Sequence, residues 1–415
     1  MIEEKIVVTG MGAVTPVGIG TDTFWQQLIG GACGVDKIQR EGCEELAVQI
    51  AAQVKNFEPE QYIPKKLIRE MALFMQYAYA ASEEAIKDSG IEENGKVKEP
   101  WRTGVVMATS MAGIKEIEDT HIQMMNSKHK NVSPRFVPKV LGNVGAAQIA
   151  ISKNIHGPSL TVSTACSSGG DAVMTGAMLL KAGLADTIVV VGGEAAICPV
   201  FVQGLTGARA LSKRNDEPLK ASRPFDADRD GFVMGEGGGA LILETESHAK
   251  ARGAHIYAEL AGYANNTDGY HVTAPHPDGV GAADCIEKAL ACAGIGPEQI
   301  DYINAHGTST KAGDIAETRA IKAVFKEHAG RVAVSSTKGA TGHLMGAGGI
   351  VEAIVCIKAL NDQVMPPTLN LDTPDPECDL DYVPKTARKK SLVYTMSNAF
   401  GFGGQNSSLI FKKYE

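Results

Sequence analysis

The chain has 415 residues, 44% of them hydrophobic and 21% charged, with a net charge of −8. That length exceeds what one hydrophobic core needs and points to two packed modules or a duplicated fold. The acidic balance argues against a general nucleic-acid binder, and no apolar run approaches the length of a membrane span.

Short β-branched runs alternate with Ala-rich stretches along the whole sequence. Strands are predicted at residues 5–10, 103–108, 159–162, 187–191, 240–243, 256–261, 302–305, 332–335 and 409–411. Helices are predicted at 68–89, 171–182, 281–293, 314–326 and 349–360. The alternation predicts α/β layers around a mainly parallel sheet. A weak repeat runs through these elements. Strand 159–162 enters its helix through Ser163-Thr164-Ala165-Cys166, and strand 332–335 enters its helix through a longer Gly-rich loop. Met107-Ala108-Thr109-Ser110 similarly echoes Ala305-His306-Gly307-Thr308-Ser309. Two related halves, 1–252 and 253–415, are expected to converge on one site.

Met1–Lys5 lacks the charged, apolar, small-residue layout of a secretory leader. The eight cysteines form no CxxC pair, so reduced thiols and a cytoplasmic location are expected.

Four segments carry chemistry. Cys166, in Val162-Ser163-Thr164-Ala165-Cys166-Ser167-Ser168-Gly169-Gly170, falls where a strand gives way to a helix; backbone N–H groups and the helix dipole there favour a thiolate nucleophile. Gly169, Gly170 and Gly176 imply that this helix is buried and closely packed. His306 follows a strand inside Asn304-Ala305-His306-Gly307-Thr308-Ser309-Thr310, with Asp314 and Glu317 read as favourable charges on the first turn of the next helix. Lys338 and His343 share a Gly-rich loop before a helix carrying Glu352. A phosphate loop competes there, weakened by the missing Gly-Lys-Ser/Thr ending. Gly10 and Gly12 imitate a dinucleotide loop without its third glycine. Ser397–Asn406 reads as a glycine-rich loop whose backbone N–H groups can stabilise an oxyanion.

Together these segments, with Ala221-Ser222-Arg223-Pro224-Phe225-Asp226 and Arg229–Gly237, closely resemble the β-ketoacyl-acyl-carrier-protein synthases of the thiolase superfamily. The resemblance covers nearly the whole chain. Its Cys-His-His pattern is similar to that of the elongating rather than the initiating members, and Gly235-Glu236-Gly237 with Asn370–Asp375 looks more like type II than type I. It implies a thiolase-like duplicated αβαβα sandwich, a homodimer, and decarboxylative condensation of an acyl-Cys166 enzyme with malonyl-acyl-carrier protein. Fatty acyl chains grow by two carbons in that reaction; a polyketide or polyene ketosynthase is the alternative.

The resemblance assigns His306 and His343 to enolate stabilisation, Lys338 to electrostatic order, and the amides of Cys166 and Phe402 to the oxyanion hole. It assigns Met111, Leu205 and Phe402 to the acyl-pocket gate. Thr308, Thr310 and Thr273 match pantetheine contacts, and Arg69, Lys130 and Arg209 match carrier-protein docking positions. Asn304, Glu352, Ser397 and Asn398 match positions that enclose a structural Na+ or K+ in relatives; no other cofactor is implied. Lys311, Gln405, Ala72 and Glu70 depart from the family pattern, as do Met111 and Leu205, which bear on chain length. A chain-length factor is disfavoured by the presence of Cys166. A degradative thiolase is disfavoured by the histidine pair and by the lack of a second catalytic cysteine near the C-terminus.

Overall fold

The computed structural model describes residues 4–415. Met1–Glu3, on which the no-leader reading partly rests, lie outside them. Ten strands form one continuous sheet: β1 (Ile6–Thr15), β2 (Thr103–Ala108), β3 (Ser159–Val162), β4 (Thr187–Glu194), β5 (Gly237–Thr245), β6 (Ala258–Thr267), β7 (Tyr302–Asn304), β8 (Ala333–Ser335), β9 (Tyr394–Gly401) and β10 (Gln405–Lys413); a short strand, Gly18–Ile19, pairs beside β1.

Their spatial order is β8-β7-β9-β10-β6-β1-β5-β4-β2-β3. Outward from the β1–β6 seam, the order β1-β5-β4-β2-β3 on one side is reproduced as β6-β10-β9-β7-β8 on the other. Even the irregularities correspond. The β1–β5 register shifts between Val8 and Gly10, and the β6–β10 register between Leu260 and Gly262.

The sheet is mixed, not mainly parallel. Parallel pairing is confined to β4-β2-β3 and β9-β7-β8, while every pair nearer the seam is antiparallel. Part of the reason is local. β9, unpredicted as a strand, runs straight into β10 through the turn Phe402-Gly403-Gly404, and so short a connection joins only antiparallel neighbours.

Eight main helices cover and divide the sheet: α1 (Leu73–Ser89), α2 (Ile114–Asn126), α3 (Gly142–Lys153), α4 (Ser168–Lys181), α5 (Pro199–Gly207), α6 (Val280–Ala293), α7 (Lys311–Phe325) and α8 (Gly348–Asp362). Successive strand side chains point to opposite faces. Val105, Met107, Val189 and Val191 therefore pack outward with residues of α1 and α3, while Val106, Ala108 and Val190 pack inward with residues of α4 and α8. In the second set of strands Ile303, Met396 and Ile410 meet α6 and α7, and Tyr302, Leu409 and Phe411 turn inward. The layers are α1/α3, half-sheet, α4/α8, half-sheet, α6/α7, the αβαβα sandwich of the thiolase fold. Strands covered on both faces read as continuous β-branched runs rather than alternating ones.

Glycines set the closest approaches. A Cβ on Gly169 would stand 2.7 Å from the Ile350 nitrogen, and one on Gly349 only 2.6 Å from the Gly170 nitrogen, so α4 and α8 cross backbone to backbone. Gly10 and Gly12 serve packing, not a nucleotide: a Cβ on either would lie 2.3 Å or less from a carbonyl oxygen of α1. No helix among the described residues is long and apolar enough to cross a membrane.

Candidate active site

The crossing of α4 and α8 brings two similar elbows together. After β3 the chain turns through Ala165–Ser167 into α4, and the corresponding turn Met345–Ala347 leads into α8. Each elbow opens on a non-glycine residue at positive φ, Ala165 at 52° and Met345 at 47°. Such a conformation costs on the order of 1–3 kcal/mol and persists only where its surroundings enforce it.

The residues flanking Cys166 supply that enforcement. The Thr164 amide donates to Ser168 Oγ at 2.8 Å, Ser168 Oγ to the Ala165 carbonyl at 2.6 Å, and Ser167 Oγ to the Thr164 carbonyl at 2.7 Å. Thr164 Oγ1 donates to Asp171 at 2.6 Å. Gly401, ending β9, lets that strand lie directly on the elbow, because a Cβ there would meet the Thr164 oxygen at 2.8 Å. The following amide, that of Phe402, favours the charged form of the Cys166 sulfur. Only Phe402–Gly404 is a turn; residues 397–401 belong to β9, which corrects the longer loop expected from the sequence.

His306 leaves the end of β7. Its amide donates to Glu317 Oε1 at 2.9 Å, and the Gly307 amide to Glu317 Oε2 at 2.7 Å. Asp314 accepts the Phe225 amide at 2.8 Å and pairs with Arg229 at 3.3 Å. Asp314 does stand in the first turn of α7 and Glu317 one turn further on, and both carboxyls are buried. Burial raises Asp314 to about 6 and Glu317 to about 7.

His343 is held by its backbone, which accepts from the Gly235 amide at 2.8 Å and donates to the Val233 carbonyl at 2.8 Å. Its Nδ1 accepts the Met345 amide at 3.3 Å. In the neutral ring this places the proton on Nε2, which is buried and has no protein partner. The two imidazoles stand edge to face with centroids 5.3 Å apart. Burial, reinforced by the Lys338 charge, holds both histidines well below their ordinary pKa, and they are neutral at pH 7. Lys338, buried behind them, pairs with Glu352. Its cation is thereby engaged, and the phosphate-loop alternative loses its lysine.

Burial pushes the Cys166 thiol up to about 11, against the pull of the Phe402 amide and of Lys338. The helix start favours the thiolate, but burial outweighs it. Iodoacetamide labelling of Cys166 is expected to accelerate about tenfold per pH unit from pH 7 to 10, tracking the thiolate fraction. Peptide mass analysis of the labelled protein reads this directly; a plateau below pH 8 would show that the helix start prevails after all.

A cavity of about 630 Å³ joins these groups. Cys166, His306 and His343 line it, together with Met111, Leu205 and Phe402, the three threonines Thr273, Thr308 and Thr310, and Arg209. Thr308 and Thr310 also bond to each other through their hydroxyls at 3.0 Å. Lys338 is not a wall residue, nor are Asn304, Glu352, Ser397 and Asn398, which are buried behind it. Arg69 and Lys130 are exposed outside the cavity. Sequence reasoning missed Phe201, Phe232 and Phe400 as wall residues, and Glu194 as a buried carboxylate behind Met111. Only Glu194 had a legible signal, a charge ending an apolar β-branched run.

The family model for the N-terminal domain of β-ketoacyl synthases matches residues 3–249, and that for the C-terminal domain matches 257–372. The chain belongs to the β-ketoacyl synthase family. This synthase is 46% identical to 3-oxoacyl-[acyl-carrier-protein] synthase 2 of Vibrio cholerae over 415 residues, all of both chains. It is 45% identical to the protein of the same name from Synechocystis, across 100% of this chain and 99% of that one. Among solved structures, a β-ketoacyl synthase from Burkholderia phymatum superposes with a TM-score of 0.91 at 34% identity, covering 99% of this chain and 100% of the other. A complex of a type II polyketide acyl-carrier protein with its ketosynthase matches at a TM-score of 0.90 and 32% identity, with the same coverage. The enzyme is a condensing acyltransferase with a thiolase fold.

Proposed function

We propose that this synthase elongates fatty acyl chains held on acyl-carrier protein. The observation that carries the proposal is the convergence of Cys166 with two neutral imidazoles on one largely apolar cavity. In the first step the Cys166 sulfur attacks the acyl thioester, the oxyanion forms against the Cys166 and Phe402 amides, and the carrier thiol leaves with the proton. A neutral imidazole on the wall is a competent acceptor for that proton in transit. The resulting thioester is uncharged, which suits a sulfur whose surroundings disfavour charge.

Malonyl carrier protein then enters and loses carbon dioxide. Nε2–H of His343, with His306 beside it, stabilises the enolate oxygen as negative charge develops there. The enolate carbon attacks the acyl-Cys166 carbonyl and expels the sulfur, giving a β-ketoacyl carrier two carbons longer.

Thr308, Thr310 and Thr273 would hold the phosphopantetheine arm. Arg69, Lys130 and Arg209 would dock the acidic carrier against the enzyme's net negative charge. Glu70, which departs from a basic family position, pairs with Arg135 at 2.5 Å and so weakens the local repulsion. Asn304, Ser397, Asn398 and Glu352 would enclose a monovalent cation; the buried and unpartnered Asn304 Oδ1 supports this. A homodimer is supported by β3, an edge strand with an exposed Leu160, and by α2, which buries no residue and exposes Ile117, Ile122 and Met125. The reading places the nucleophile on half 1–252 and both histidines on half 253–415, in the cytoplasm.

Incubation with acyl- and malonyl-carrier protein tests the proposal. Intact-mass analysis is expected to show an acyl adduct on Cys166, then a β-ketoacyl product. Absence of any adduct with short, medium and long acyl donors would overturn it. The solved type II polyketide ketosynthase relative favours a second reading, and repeated condensation without intervening β-reduction would decide for it.

A further inference from the structure

Glu194, the last residue of β4, is fully buried and does not line the cavity. Its carboxylate nevertheless holds two segments of the cavity wall. Oε2 accepts from the Ser110 amide at 2.7 Å, Ser110 Oγ at 2.5 Å and the Gly346 amide at 3.2 Å; Oε1 accepts from the Met111 amide at 3.2 Å. The first segment carries Met111, a wall residue that the family resemblance assigns to the acyl-pocket gate. The second is the elbow whose first residue, Met345, sets the His343 tautomer through its amide.

The two segments also touch directly. Gly346 lies so close to the first that a Cβ on it would stand 2.5 Å from the Ser110 nitrogen. A displacement of Met111 therefore cannot be absorbed by slack at this junction. Four donors converging on one buried carboxylate form a stiff joint.

We infer that Glu194 is a positioning residue that sets the acyl-pocket wall at Met111 and the His343 elbow in one register, so that acyl-chain accommodation and enolate stabilisation are adjusted together. This inference rests on the condensing function proposed above.

The asymmetry of the joint supplies the test. In Glu194→Gln the amide oxygen satisfies the three donors at the Oε2 position, which leaves the amide NH2 facing the Met111 N–H, donor against donor. The Met111 arm is released while the Gly346 arm is kept. Transfer from a long-chain acyl carrier to Cys166 is expected to fall about tenfold or more, the effect of one lost hydrogen bond to a charged group. Short-chain transfer and decarboxylation of malonyl carrier should stay within about twofold of wild type, since neither requires movement of Met111. Glu194→Ala frees both arms and should lose decarboxylation as well.

Equal losses for all three measurements in Glu194→Gln would overturn the inference, and so would no change in any of them. Should neither Glu194 variant fold, Ser110→Ala, which removes one hydroxyl donor, must shift the long-to-short ratio in the same direction. A length-independent effect of Ser110→Ala also overturns it. Wild-type enzyme that accepts no acyl group overturns the condensing function, and this inference with it.

Discussion

Cys166→Ala is expected to take no acyl group from any carrier and to lose condensation by a factor on the order of 10⁴ or more, as removal of a nucleophile does in other covalent catalysts. Its fold should survive. The sulfur faces the cavity, and the turn that presents it is held by Thr164, Ser167, Ser168 and Asp171, not by the thiol. Decarboxylation of malonyl carrier should persist in this variant. His306 and His343, proposed above to stabilise the enolate, stay neutral, and their pKa depression comes from burial and Lys338, not from Cys166. The measurements are intact mass for the adduct, product chromatography for the β-ketoacyl carrier, and carbon dioxide release. Full condensation by Cys166→Ala would overturn the assignment of the nucleophile.

Lys338→Ala has the second large effect, first on stability. It leaves the Glu352 carboxylate buried without its cation, and losing one partner of a buried pair costs about 3–5 kcal/mol. Glu352, already raised by burial, will meet part of that cost by taking a proton. Replacing both partners, as in Lys338→Met with Glu352→Leu, should recover most of the stability, because it removes the uncompensated charge.

Activity should not recover with stability. Lys338 lowers the pKa of both histidines and of Cys166. Without it the imidazoles rise toward their ordinary value, so the acid limb of the pH–rate profile should move to higher pH. The thiol rises too and becomes harder to ionise. Denaturant melts and the pH–rate profile of the double variant separate the two roles. A double variant with wild-type pH dependence would reduce Lys338 to a structural residue.

Much of the site was legible because its chemistry demands local features. A side chain presented on a tight turn needs small, hydroxyl-bearing neighbours to hold that turn, and Ser163-Thr164-Ala165 with Ser167-Ser168-Gly169-Gly170 around Cys166 records that need. The glycines before α8 and those around Phe402 record backbone approaches that no side chain tolerates. By contrast, Asp314 and Glu317 looked like ordinary first-turn charges. Nothing within their own helix tells a solvated carboxylate from one buried beneath the His306 loop. The balance at Cys166 was hidden for the same reason: the helix start is visible locally, but the desolvation that outweighs it comes from residues far away in the chain. Strand β9 was hidden by its composition, since Ser397, Asn398 and Gly401 are poor strand formers in isolation and are held only by pairing with β7 and β10.

By itself the sequence determined the layered α/β class and most element positions, and it singled out Cys166, His306 and His343, which the fold brings to one cavity, because hydrophobic period, turn chemistry and reactive side chains are local properties. The tertiary structure alone decided that the sheet is mixed, that its ten strands repeat one order across a seam, and that α4 and α8 cross at their glycines. It also decided the protonation state of the site and the joint at Glu194. These depend on desolvation and on contacts between residues as distant as Ser110 and Gly346, and such free energies exist only once the chain has brought them together.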